Sequence, residues 1–355
     1  MRVVLGEGTD RIRARRVLVT GVAGLHGSHE AAALLGVGYT VYGVDDLSGG
    51  RREHVPAGVR FTRLDLRNRG ATESYFKGVR PDLLFHDAAF ATEGGSNFTP
   101  IHSTERNSMM YLYTLVAAIR HGLKKVVLAS SMSVYGRQKP PFRESMDRKP
   151  EGVYAIAKAA MERVTEDLSR VHGFDYTIIR PHNVYGPHQN LADPYRNVIA
   201  IWTNALMLGK PFWIYGDGRQ KRSFTSIEDF TPYVIRAGLS RRCRGEIFNI
   251  GPREAIALND LARLVLREYF GGRPVPARLR PRTFRPGRPL EVKEAYSSDA
   301  KAVRWLGYRT TVPIGEGVRR FVAWARSVGP RPFRYLPGGV ELAKNAPPTW
   351  TRRLY

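Results

Sequence analysis

Three stretches of this 355-residue chain carry side chains whose types and spacing suit chemistry. In "YAIAK", Tyr154 and Lys158 stand four residues apart, so a helix would place phenol and ammonium on one face. A phenol is a poor base near neutral pH, and a neighbouring ammonium favours its anion. That anion can take a proton from an alcohol while hydride leaves the same carbon. In "ASSMSVYG", Ser131 follows an apolar run that predicts a strand, at the end where parallel sheets place ligands. Its hydroxyl can bond both the tyrosine oxygen and a reacting oxygen, with Ser133 as its neighbour. In "VLVTGVAGLHGSHE", Gly21, Gly24 and Gly27 lie between an apolar strand and an Ala-rich helix. Glycine permits the tight turn, and the free N–H groups of the helix start favour a pyrophosphate. Asp45 ends the next strand, where a carboxylate can accept ribose hydroxyls and so favours NAD over NADP; Arg51 and Arg52 keep the phosphorylated cofactor open.

Each stretch alone has an ordinary structural reading: a plain turn, a surface Tyr–Lys pair, a serine cap. Their order along the chain is what points to nicotinamide chemistry, and the elements that must position them follow the same logic. "RRVLVTG", "YTVYGVDD", "VRFTRLDL", "DLLFHDAA", "KKVVLASS" and "DYTIIRP" read as strands. Between them come helices, including a short one over Thr72–Lys77, "TERNSMMYLYTLVAAIRHG" and "YAIAKAAMERVTEDLSRVHG". This alternation predicts an α/β chain: a Rossmann-type doubly wound parallel sheet with a smaller α/β C-terminal substrate lobe. Its organisation reads as a basic leader over 1–15, a dinucleotide domain over 16–181 to which 225–251 partly returns, a second lobe over 182–326, and a Pro/Arg-rich tail over 327–355, extended or disordered.

The net charge is +24, but its arginines are scattered rather than interleaved with aromatics, so an anionic small substrate is favoured over nucleic acid. Cys243 is the one cysteine, which excludes an internal disulfide and a thiol metal cluster. No run of 18 apolar residues predicts a membrane span, and the N-terminus lacks a secretory apolar segment; a cytoplasmic protein is expected.

Taken together, "TGVAGLHG", "VDDLSGG", "LDL", "PDLLFHDAA", "ASSMSVYG", "YAIAK", "RPHNVYGP", "YGDGRQKRSF", "FNIG", "RPGRP" and "SSDAKAVRWLGY" resemble the extended short-chain dehydrogenase/reductases, in the nucleotide-sugar epimerase/dehydratase branch. The resemblance runs from about Arg16 to Arg326. It implies NAD held by Leu25, His26, Asp46 and Asn107 besides the glycines and Asp45, with Asp65 and Leu66 edging the adenine and Ala88, Ala89 and Phe90 lining the dinucleotide. It implies a nucleotide diphosphate sugar held by Ser131, Ser133, Asn183, Asn197, Val198 and Tyr215, with Arg222 and Arg285 on the phosphates, and a homodimer through the two long helices. Four features depart from the pattern: His26 in the glycine turn, Asp87 at a usually apolar position, the loop "FATEGGSN", and Arg288 where an acid often stands. Within that loop, Glu93 and Thr92 read either as substrate contacts or as a loop acid and a cap.

Dehydratases of this branch resemble one another in carrying Asp-Glu directly after the hydroxyl residue. Met132 and Ser133 stand there instead. The resemblance therefore favours a 4-epimerase, acting on a UDP-sugar through a transient 4-keto sugar, with no metal. The alternatives are another nucleotide-sugar dehydratase or oxidoreductase, including a heptose or uronate epimerase, and more remotely a non-catalytic nucleotide- or RNA-binding protein.

Overall fold

Apolar strands with helices between them leave one solution, a parallel sheet covered on both faces, and the chain adopts it. The computed structural model describes Ile12, residues 14–284 and residues 287–355; most of the expected leader and Arg285 lie outside the described residues. In chain order the main elements are β1 (Arg16–Thr20), α1 (Leu25–Gly36), β2 (Thr40–Asp45), β3 (Arg60–Arg63), α2 (Arg69–Val79), β4 (Leu83–His86), α3 (Met110–Arg120), β5 (Lys125–Ala129), α4 (Val153–His172), β6 (Asp175–Pro181), α5 (Val198–Met207), α6 (Ile227–Leu239), β7 (Glu246–Ile250), α7 (Leu258–Phe270) and α8 (Ile314–Val328). The sheet order is β7-β6-β5-β4-β1-β2-β3, with every pair parallel.

Strand periodicity sorts the core. Val17 and Val19 of β1 face one apolar cluster with Leu83 and Phe85 of β4 and Val127 of β5. Leu18, Leu84, Val126 and Leu128 face the other. All are buried, and each such side chain contributes about 1.5–3 kcal/mol when removed from water. Helices α1 and α6 cover the first face, and α2, α3 and α4 the second. Chain order reverses between β1 and β4, which opens a crevice beyond the strand ends there.

Two elements differ from their sequence expectation for local reasons. Helix α2 begins at Arg69 rather than Thr72, because the Asn68 side chain accepts the Ala71 N–H at 3.0 Å and so caps an earlier turn. The helix ahead of α3 begins at Pro100 and runs through a wide π-turn over Glu105–Met109 before regular α3.

The second lobe has its own core, where Trp202, Phe212, Leu261 and Phe321 join α5, α7 and α8. The last residues do not leave the body. The Trp350 indole donates to Pro194 O at 3.1 Å, Tyr355 packs on Phe333, and Glu341 accepts the N–H groups of Ile101 and His102. Among the described residues, no helix is long and apolar enough to cross a membrane.

Candidate active site

A cavity of about 890 Å³ fills the crevice between the lobes, a volume suited to a sizeable organic ligand. The glycine turn forms one wall. Gly21 sits at φ +68°, and a Cβ there would lie 2.8 Å from the Ala88 N, so only glycine lets the ends of β1 and β4 meet. A Cβ on Gly27 would collide with the Gly21 carbonyl, which lets α1 start directly against the turn. Gly24 caps α1, and no side chain satisfies that first turn. Its N–H groups are therefore offered toward the cavity, an arrangement that fits a pyrophosphate.

The other dinucleotide candidates fall along the same wall. Leu25, His26, Asp46, Asp65, Leu66, Ala89 and Phe90 all line the cavity. Asp45 also lines it, and its carboxylate accepts the Ala23 N–H at 3.0 Å and the Leu47 N–H at 2.7 Å. Burial raises its pKa, and those two N–H groups oppose the rise. Asp45 thus ties the end of β2 to the glycine turn. Asp46 is held by Arg106 at 3.2 Å, and Asp65 by Arg67 at 2.6 Å. Asn107 is different: it is fully buried outside the lining, and its amide donates to Phe90 O at 3.2 Å and Ser103 O at 2.8 Å, so it props the strand end from behind.

Ser131, Tyr154 and Lys158 converge on the facing wall. Ser131 lies two residues past β5 and caps the one-turn helix Met132–Tyr135; its Oγ accepts from the Ser133 N–H at 3.1 Å and from the Ser133 hydroxyl at 2.9 Å. Ser133 lies behind it, outside the lining. Helix α4 carries Tyr154 and Lys158, and the loop "FATEGGSN" starts it: Ser96 Oγ accepts the Tyr154 N–H at 3.0 Å, and Asn97 Oδ1 the Val153 N–H at 3.1 Å. Lys158 Nζ donates to Ala129 O at 2.6 Å, and burial brings its pKa down to about 8. The sequence reading expected the ammonium to lower the phenol. Its surroundings instead raise the Tyr154 phenol, first by burial and then by the nearby Glu93 carboxylate, while a hydrogen bond from Ser131 pulls it back.

The second lobe closes the cavity. Asn183 donates to Ser223 O at 2.8 Å, and Asn197 caps α5 at its Ile199 N–H, directly before Val198. Arg222 and Arg288 both pair with Glu291, at 3.7 and 2.8 Å, and both stabilise the Glu93 carboxylate, whose pKa enclosure by protein otherwise raises. Tyr215 bonds the Thr349 hydroxyl and faces the Arg288 guanidinium.

A glycine turn, an acid on β2 and a Ser–Tyr–Lys set around one crevice form a recognisable constellation, and comparison agrees with it. The profile of the NAD dependent epimerase/dehydratase family matches residues 17–251. The chain belongs to this family. It is 30% identical over 320 residues to the UDP-glucose 4-epimerase of Mycolicibacterium smegmatis, covering 88% of this chain and 99% of that one. Its fold is similar to a Thermotoga maritima UDP-glucose 4-epimerase solved with UDP-glucose, with TM-score 0.78, 32% identity, and 88% and 99% coverage. It is also similar to a Bacillus cereus UDP-glucuronic acid 4-epimerase solved with UDP-glucuronic acid and NAD, with TM-score 0.77, 26% identity and the same coverage.

For a member of an NAD-dependent family, this chain builds its site from several residues that the sequence left open or gave no role. Glu93, open between a substrate contact and a loop acid, lines the cavity, where its carboxylate raises the Tyr154 phenol. Arg288, marked in the sequence only as standing where an acid often stands, pairs with Glu291, to which the sequence gave no role. Thr349, Trp350 and Tyr355 line the cavity from the tail, where composition showed no pattern pointing to a site. Arg285 lies outside the described residues.

Proposed function

We propose that this chain is a nucleotide-sugar 4-epimerase that binds NAD and takes a UDP-sugar. The observation that carries this reading is the convergence of Ser131, Tyr154 and Lys158 on one cavity wall opposite the glycine turn, with Met132 and Ser133, not acids, next to Ser131. NAD, when bound, would supply a reversible two-electron acceptor and a positively charged ring. The glycine turn, Asp45 and the first turn of α1 are the groups that would hold it, with Asp65 and Leu66 at the adenine end.

The chain's own residues then manage one proton and one oxygen. Tyr154 takes the proton of the sugar 4-hydroxyl on its phenol oxygen and gives it back after the sugar has turned over. Ser131 bonds the same sugar oxygen and steadies it as it changes between hydroxyl and ketone. Lys158, fixed by Ala129 O, sets an ammonium 5.8 Å from the centre of the Tyr154 ring. Arg222 and Arg288 offer forked donors to the diphosphate. The arrangement suits loss and return of hydrogen at one carbon.

A second reading has one observation behind it. Glu93 is a carboxyl with a raised pKa facing Tyr154, and such a group can protonate a leaving hydroxyl, as a dehydratase requires. Incubation with UDP-, GDP-, CDP- and dTDP-linked hexoses and uronates separates the two. Formation of the 4-epimer without added NAD supports the epimerase; a stable product lighter by one water overturns it in favour of the dehydratase.

We also propose a homodimer. Met109 and Val116 beside α3 and on it, and Ile156 on α4, are exposed apolar side chains on the two helices expected to pair. Light scattering is expected to show a dimer for the native chain and a monomer for the double variant Val116→Glu, Ile156→Glu; a monomeric native chain would refute the dimer.

A further inference from the structure

Behind the glycine turn lies a cluster that the proposed reaction does not use. His26 and Glu30 stand one turn apart on the same face of α1, and Asp87 directly follows β4. One imidazole nitrogen and one oxygen from each carboxylate all lie within 4.8 Å of one another. His26 Nδ1 is 3.7 Å from Asp87 Oδ1, too long for a hydrogen bond. The His26 ring is steadied against Phe230, with centroids 4.6 Å apart.

Glu30 is 1% exposed; among the described residues its carboxyl has one hydrogen-bonding neighbour, the Asp87 carboxyl, and no other group donates to its oxygens or to the buried Asp87 Oδ2. Two carboxyl groups therefore meet in the interior with at most one proton between them. Leaving such groups unpaired is costly, and two carboxylates side by side also repel. Among the described residues, Asp87 and His26 are the titratable groups that approach Glu30, and no lysine or arginine acts on it. Lys158 feels the Asp87 carboxylate, but its ammonium is held by Ala129 O at 2.6 Å. One shared proton is a single donor and leaves other oxygens unpaired. A divalent cation satisfies both carboxylates and the imidazole at once.

We propose that His26, Glu30 and Asp87 form a binding site for one divalent transition-metal cation, of the Zn²⁺ or Mn²⁺ class. One nitrogen and two oxygens are donors these ions accept at about 2.0–2.2 Å. Ligand atoms on such an ion stand about 3–4 Å apart, so a small rotation of the Glu30 side chain closes the set. His26 and Asp87 line the cavity while Glu30 lies beneath it. The remaining coordination positions therefore face the cavity, beside the start of α1. The cation adds positive charge and rigidity to the floor of the glycine turn; it takes no part in proton or hydrogen transfer.

The test is metal binding itself, which does not depend on the sugar chemistry. Tag-free protein carrying whatever dinucleotide it retains is treated with chelator, desalted, and titrated with Mn²⁺ and separately with Zn²⁺ by calorimetry. Metal content after a second desalting is read by mass spectrometry. One equivalent per chain is expected, with a rise in Tm on binding. Glu30→Gln and Asp87→Asn are each expected to weaken binding at least about tenfold and to abolish the Tm rise. Should either fail to fold, His26→Gln, at a partly exposed position, is expected to show the same loss. Two imidazoles near His188 form a separate surface group, so His188→Ala is expected to bind as the native chain does. Absence of saturable binding, or binding that survives these three substitutions, overturns the site and leaves Glu30 and Asp87 as a proton-sharing pair.

Discussion

Tyr154→Phe is expected to cut kcat by roughly 10²–10⁴-fold, the usual worth of a positioned acid–base group. The ring is nearly fully buried at the start of α4, and phenylalanine keeps its volume, so the fold and the cavity shape survive. Only the oxygen is lost. Ser131 cannot replace it, because that hydroxyl already accepts two hydrogen bonds from Ser133 and an aliphatic hydroxyl is a far weaker acid than a phenol. The resting phenol is protonated, since burial and Glu93 both raise it. Its work as a base therefore depends on positive charge in the site, from Lys158 and from the bound cofactor. KM for the nucleotide sugar is expected to change little, because Arg222, Arg288 and the second lobe are untouched. Steady-state turnover with the active sugar, alongside circular dichroism, decides the matter; native-like kcat in the phenylalanine variant would sink the proposed mechanism.

Glu162→Ala is expected to lower stability by about 3–5 kcal/mol, the range for breaking a buried ion pair from one side. Glu162 lies one turn after Lys158 and is wholly buried. It accepts from Arg180 Nη2 at 2.6 Å and Nε at 2.9 Å, from Arg148 Nε and from the Ser130 hydroxyl. Arg180, also buried, donates onward to the Tyr135 hydroxyl at 2.7 Å, which donates to Asn249 at 2.8 Å. The network thus ties α4 to β6, to β7 and to the turn that follows Ser131. Alanine leaves the Arg180 guanidinium charged and unpaired in the interior. The double variant Glu162→Met, Arg180→Met removes both charges and is expected to recover a large part of the loss. Urea unfolding of the native chain, both single variants and the double variant measures the coupling. A Glu162→Ala cost below about 1 kcal/mol would mean that the pair contributes no more than a surface bridge. Activity is expected to fall as well, because Ser130 holds the backbone that presents Ser131.

Much of the scaffold was legible from local pattern. The apolar strands could only be buried on both faces, and that required a parallel sheet with helices between. The glycine triplet followed by a helix specified a tight turn set directly against a helix start, because tight turns and close approaches have few solutions. Tyr154 and Lys158 were legible as a pair because four residues on a helix are always neighbours. The direction of the phenol's pKa was not, because it depends on enclosure and on Glu93, which arrives from another loop.

The sequence by itself determined the alternating architecture, the glycine turn, the acid at the end of β2 and the Ser–Tyr–Lys set, since each rests on spacing within one element or across one turn. Tertiary structure alone decided which side chains meet. It put Asn107 behind the cavity wall, set Arg288 against Glu291 instead of leaving it an unexplained departure, folded Thr349 and Trp350 back onto the second lobe, and brought Asp87 to His26 and Glu30 from the far side of the first βαβ unit. These are contacts between distant segments, fixed by sheet order and by the direction of each side chain, and no local period encodes either.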